Sequence, residues 1–260
     1  KMSEGWNDMH KAVVFEKIDL LIALLSEGTD ANVRTPSGNT PLHLACLDGL
    51  VMFAEVLIDN GADIDAKNED GETPLHWAVH GGCTETVRLL IEAGAEVDAT
   101  TELLETPLHW AIACEDLADN EIAKMLMLRG ADPFAENYEE GNCAMVAARH
   151  NNLEMLGLII TAHRAILTET DDDGNTLLHL AAAAGHLRAV NLLLCAGINP
   201  KTKNDDDNSA IKVSDNKEIR KAIRTFISLR KKPAHSSSTR RPRTSSFIEA
   251  EQNASRCVSC

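Results

Sequence analysis

The tetrapeptide Thr-Pro-Leu-His occurs three times at a spacing of 33 residues, at Thr40–His43, Thr73–His76 and Thr106–His109. A unit that short carries apolar side chains for one face only, so it cannot enclose a core; neighbouring units must stack and share one. The chain is thereby confined to a quasi-one-dimensional architecture. A further copy, Thr176-Leu177-Leu178-His179, follows one period after the weaker match Cys143-Ala144-Met145-Val146. The step from Thr106 to Cys143 is 37, which gives the fourth unit an insertion. Gly28, Gly61, Gly94, Gly130 and Gly197 mark unit ends, and the Gly94 to Gly130 step puts three extra residues within Cys114–Asn120. The fourth is then expected in the turn before Gly141. Projecting outward reaches Asn7, with His10 matching His43, and Ser209, for about seven units with degenerate outer ones.

The residue choices within one unit are consistent with a turn followed by two short helices. In Asp70-Gly71-Glu72-Thr73-Pro74-Leu75-His76, Asp and Gly suit a tight turn and Thr caps the next helix. Pro74 takes the first helical position, where a missing N–H costs nothing. Val87, Leu90 and Ile91 form the apolar stripe of a second helix that Gly94 ends.

These motifs and their spacing resemble the ankyrin repeat. The resemblance covers about Asn7 to Leu229 and implies an all-α solenoid of helix-turn-helix units with protruding finger turns. Unit limits fall near 5–36, 37–69, 70–102, 103–139, 140–172, 173–205 and 206–229, so residues 1–229 form the repeat domain. Residues 230–260, basic and rich in Ser and Arg, read as a disordered tail. The family is a binding scaffold, so a protein partner is implied and enzymatic activity is not.

Composition fits that class. Apolar residues make up 44% and aromatic ones 3%, as expected where small side chains let helices stack closely. No apolar run approaches the ~20 residues that span a bilayer, and no secretory leader is present. Seven scattered cysteines argue for a reducing compartment, cytoplasmic or nuclear, rather than for a disulfide framework. Opening on Lys1 rather than Met, the chain reads as a fragment or a processed product.

Charge is segregated. From Arg220 onward there are ten basic and two acidic residues out of 25 and 40 in the chain, which leaves 15 and 38 before that point. The acid clusters in the expected fingers, at Glu69, Asp70 and Glu72, at Glu136, Glu139 and Glu140, at Asp171–Asp173 and at Asp205–Asp207. Such a face repels nucleic acid and attracts a basic protein segment. The competing reading is that these residues are solvated turns that keep the stack soluble.

Candidate chemistry is sparse. His43, His76, His109 and His179 recur at one repeat position, where the ankyrin pattern implies hydrogen bonding across neighbouring turns. His80, Cys83 and His109 lack a known metal-ligand spacing, and no catalytic or phosphate-binding motif appears, so neither a metal nor another cofactor is expected.

A binding surface is better marked. The ankyrin pattern turns the residue after His toward the concave groove, and here that residue is Leu44, Trp77, Trp110, Ala147 or Leu180. His80 lies one helical turn beyond Trp77. Two adjacent Trp residues, each of ~150–250 Å², would yield ~4–6 kcal/mol per ring on full burial. Packing between repeats competes with that role. Leu103 and Leu104 replace the usual turn residues of their finger, and Tyr138 stands among acids in the next. Together with Asp70, Glu72 and Glu105 they suggest an apolar patch with an acidic rim. Unit five, without the Thr cap or the His, is expected to exchange its amides first, across Asn142–Arg149.

The tail adds three motifs. Arg241 and Arg243 precede Ser246 by five and three residues, which resembles the substrate pattern of basophilic kinases, with Thr244 beside it. Cys257-Val258-Ser259-Cys260 partly matches a prenylation signal at Cys257, from which Ser259 departs. Membrane contact is therefore expected only through the tail. The leading reading is a monomeric adaptor whose middle repeats capture a basic-apolar peptide or helix. Self-inhibition by the tail, a prenylated membrane-tethered effector and a targeting subunit of an enzyme are the alternatives.

Overall fold

The computed structural model describes residues 6–114 and 120–230, and among them fourteen α-helices form seven successive pairs. The first helices are α1 (Asp8–Val14), α3 (Pro41–Leu47), α5 (Pro74–His80), α7 (Pro107–Ala113), α9 (Cys143–Arg149), α11 (Leu177–Ala183) and α13 (Ala210–Val213). Each packs on its counterpart in the next unit. The second helices, α2 (Ile18–Ser26), α4 (Val51–Asp59), α6 (Thr84–Glu92), α8 (Glu121–Leu128), α10 (Leu153–Ala162), α12 (Leu187–Ala196) and α14 (Lys217–Arg230), make a parallel layer. One continuous core runs between the layers, from Met9 and Leu21 at one end to Ile219 and Ile223 at the other. No described helix is long and apolar enough to cross a membrane.

The tetrapeptide explains the regularity of the first layer. Thr40, Thr73, Thr106 and Thr176 are N-caps in extended conformation, and each closes a capping box with the His three residues on. The His Nδ1 accepts the Thr backbone N–H at 3.1–3.2 Å. Its Nε2–H then donates across the unit boundary to a finger carbonyl: His43 to Glu72, His76 to Glu105, His109 to Gly141 and His179 to Asn208. One ring thus satisfies two buried backbone groups belonging to two different units. A second ladder joins the unit ends, where Asn32, Asp65 and Asp98 accept the N–H of Asp63, Glu96 and Asp132.

The structure corrects the register of unit five. Its cap is Asn142, whose side chain accepts from the N–H of Ala144 and Met145, so Cys143 is the first helical residue and not the cap. Asn caps a helix as well as Thr does, so the Thr pattern alone places this cap one residue too late. Val146, not Ala147, then follows the His position, and both are buried. The extra residues are also divided differently. Thr106 to Asn142 is 36 residues and Asn142 to Thr176 is 34. The turn before Gly141 is of ordinary length. The fourth extra residue lies beyond α10, where His163 stands in place of the unit-closing Gly at φ −133° and leads into a 3-10 helix at Arg164–Thr168. A side chain at that point disfavours the left-handed cap that Gly94 supplies at φ +97°.

Finger five carries a two-residue antiparallel ladder, Glu136–Asn137 against Gly141–Asn142, and fingers six and seven each close on a single antiparallel bridge, Thr170 with Thr176 and Lys203 with Ser209.

Candidate functional site

The fingers lie side by side through backbone bonds. Glu69 N–H donates to Ser37 O at 3.1 Å, Glu102 to Asp70 O at 2.9 Å, Tyr138 to Leu103 O at 3.1 Å and Asp205 to Asp173 O at 3.0 Å. The approach is close: a Cβ on Gly71 would stand 2.8 Å from Glu102 N. Asp70, Leu103 and Tyr138 are thereby brought together on three successive tips.

At the tip of finger four the sequence departs from its siblings in a way that costs energy. Gly38, Gly71 and Gly174 hold the third position after the finger's first residue at φ +80°, +75° and +72°; in finger seven Asp207, a residue type that tolerates the left-handed region, holds it at φ +59°, and in finger four the leucine Leu104 holds it at φ +60°. A branched side chain in the left-handed region costs ~1–2 kcal/mol relative to an unstrained placement. The leucine also stays partly open to solvent, 37% exposed, beside Leu103 at 46% and Tyr138 at 71%. Asp70, Glu69, Glu102, Glu136 and Glu139 are exposed around them.

The tryptophans sit one step deeper. Trp77 and Trp110 are half-buried, each with its indole N–H donating to a finger carboxylate, Glu72 Oε2 at 2.7 Å and Glu105 Oε2 at 2.9 Å. Each also meets the His of the preceding unit edge-on, Trp77 with His43 at 5.6 Å and Trp110 with His76 at 5.3 Å between centroids. His80, exposed at the end of α5, contacts Trp110 at 5.9 Å. The two rings therefore tie repeats together and present only their remaining face. Glu72 and Glu105 are likewise held by the indoles rather than left as rim charges. Leu44 lies in the core at 7% exposure and offers almost no surface. Thr244, Ser246 and Cys257 lie outside the described residues.

Beyond the residues that the sequence singled out, three more contacts join elements of units five and six. His150 meets Glu140 at 3.0 Å and Arg149 meets Asp171 at 3.2 Å, while His186 Nε2 bonds Arg149 O at 2.8 Å. No spacing marks these pairs, because each joins residues of different elements.

Burial holds the pKa of His43 and of His76 down to about 4, against weaker opposing pulls from the carbonyls they bond, so both rings are neutral at pH 7. Both ring nitrogens of His109 are committed, Nδ1 to Thr106 and Nε2 to Gly141 O, which leaves no lone pair for a metal. Burial pushes the Cys46 and Cys143 thiols up, away from the reactive thiolate. Among the described residues no three His, Cys, Asp or Glu side chains converge as a metal site.

Comparison with known proteins agrees with this architecture. The family profile described as "Ankyrin repeats" matches in three overlapping copies, at residues 9–101, 53–137 and 108–204. Among curated proteins, the mouse nuclear factor NF-kappa-B p105 subunit is 32% identical over 81 residues, 31% of this chain and 8% of that protein. The Arabidopsis thaliana E3 ubiquitin-protein ligase XBAT33 is 30% identical over 109 residues, 42% of this chain and 21% of the ligase. The chain thus spans less than a quarter of the length of these relatives. Two solved structures superpose on 85% of it at 24% identity: the human ASB11 ankyrin repeat domain, TM-score 0.72 and 98% covered, and the ankyrin repeat domain of Bcl-3, TM-score 0.73 and 99% covered. The profile matches, the His-to-carbonyl ladder and the superpositions converge: the chain belongs to the ankyrin-repeat family, whose domains serve as protein-binding modules.

Proposed function

We propose that the chain is a non-enzymatic adaptor that binds a partner's basic-apolar segment across units three to five. Leu103, Leu104 and Tyr138 form the apolar centre, the free faces of Trp77 and Trp110 with His80 form the floor, and Asp70 with its acidic neighbours forms the rim. The observation that carries this reading is Leu104. A leucine held in a conformation natural to glycine, with over a third of its surface open to solvent, sits there at a cost in strain, and such strain collects at binding sites. Acid around an apolar centre speeds encounter with a basic partner and fixes its register, while desolvating the centre supplies the affinity.

The finger residues give a cleaner test than the tryptophans, which also hold repeats together. Full-length chain and a Leu103→Ser, Leu104→Gly, Tyr138→Ser variant with an unchanged circular dichroism spectrum are cross-linked in cell lysate. Loss of specific partners from the variant supports the reading; identical partner sets overturn it.

A further inference from the structure

We propose that this chain carries its own occupant for that face, the segment Arg240–Ile248. The inference rests on the reading above and names an intramolecular ligand for it. The segment reads Arg-Arg-Pro-Arg-Thr-Ser-Ser-Phe-Ile, three guanidinium groups followed by the paired apolar residues Phe247 and Ile248. That is the chemistry an apolar centre with an acidic rim selects: guanidinium for the finger carboxylates and Phe with Ile for Leu103, Leu104 and Tyr138.

Attachment and charge both direct it there. The segment leaves the solenoid at Arg230, the end of α14, a helix that carries Lys217, Arg220, Lys221, Arg224 and Arg230 against Glu218. Its own point of departure repels it. In the same terminal unit as α14, finger seven exposes Asp205 and Asp206, and finger six exposes Asp172 and Asp173, the two tips being bonded through Asp205 N and Asp173 O. The next tips hold Glu139, Glu136 and Tyr138. Acid therefore lines the fingers between the terminal unit and the apolar centre.

Length permits the path. Phe247 lies seventeen residue steps beyond Arg230, which extend to at most roughly 55–60 Å. The centre lies three units away along the stack, roughly 25–30 Å at the 8–10 Å spacing of packed helices. A tether of this kind gives an effective concentration of about 1 mM. A segment that binds in trans with a Kd of about 100 µM would then be docked some nine-tenths of the time, slowing exchange of amides it covers about tenfold.

The test uses the full chain and an Arg240→Glu, Arg241→Glu, Arg243→Glu variant. Amide exchange is followed by mass spectrometry over residues 101–105 and 136–140 at low salt and at 0.5 M NaCl. A synthetic peptide of sequence Arg240–Ile248 is then added to the variant. We expect about tenfold slower exchange in the wild type at low salt, a difference that salt removes, and recovery of protection with the peptide. Equal rates in both chains overturn intramolecular docking. If the peptide in excess still protects the two fingers, the face remains a binding surface for basic-apolar ligands; if it protects nothing, that reading falls as well. Slowed exchange confined to α12 and α14 overturns the assignment of the docking site.

Discussion

Units three and five begin their first helices with different atoms. In unit three, Thr73 caps α5 and His76 links the Thr73 N–H to the Glu105 carbonyl of the following unit. In unit five, Asn142 caps α9 by itself, and Met145 occupies the position of the His. The local task, satisfying amides at a helix start, passes from Thr and His to one Asn. The long-range task does not pass with it, since a thioether cannot donate to the neighbouring carbonyl. Its replacement lies elsewhere, in Arg149, which pairs with Asp171 and whose carbonyl accepts from His186. Capping is thus exchangeable residue for residue, whereas the tie between units has to be rebuilt from other positions. Unit five is neither uncapped nor loosely packed, as Cys143–Ala148 are all buried. That removes the ground for expecting its helix start to be the softest part of the stack.

Acid should separate the two regions most. His43 and His76 are held neutral with pKa about 4, against about 6.5 in the unfolded chain. The unfolded state therefore takes up protons first. The rings' contribution is complete above pH 6.5 and is lost as pH falls toward 4, on the order of 3 kcal/mol per ring by linkage. His109 and His179 are shifted the same way, also chiefly by burial. Urea unfolding at pH 7 and at pH 4.5, with amide exchange resolved by unit, should show units two to four losing protection before Cys143–Ala148. Equal losses in all units would break the comparison.

Substitution sharpens it. His76→Ala strands the Thr73 N–H and the Glu105 carbonyl and opens a cavity, for an expected loss of about 2–4 kcal/mol in chemical denaturation. Asn142→Ala removes a cap only and should cost about 1 kcal/mol. If Asn142→Ala proves as costly as His76→Ala, the asparagine has a role between units that its hydrogen bonds do not indicate. Ser246→Glu is the smallest change. It should reduce finger protection by less than the triple arginine reversal does, as read by the same exchange experiment.

Much of this was legible in the sequence because the repeat imposes it. A Thr-Pro-Leu-His at fixed spacing specifies a cap, a first helical residue, a core residue and a cross-unit bond at once, and the observed fold follows from that. What the period could not supply were features that break it. The cap at Asn142 was hidden because two residue types perform one job, and the slip moved with it the placement of an inserted residue. Leu103, Leu104 and Tyr138 stood out as apolar residues in turns, and the structure adds that Leu104 is strained. The burial of Leu44 and the anchoring of Trp77 and Trp110 depend on neighbouring units that a single repeat does not reveal.

Leu104→Gly tests the central claim most directly, because stability and binding should move in opposite directions. Relieving the left-handed leucine is expected to raise stability by about 0.5–1 kcal/mol, after the entropic cost of glycine, as measured by thermal and urea unfolding. The same variant should capture less of the partners cross-linked by the wild type. Higher stability with weaker capture would place Leu104 in the binding surface; undiminished capture would contradict the account, whichever way the stability moves.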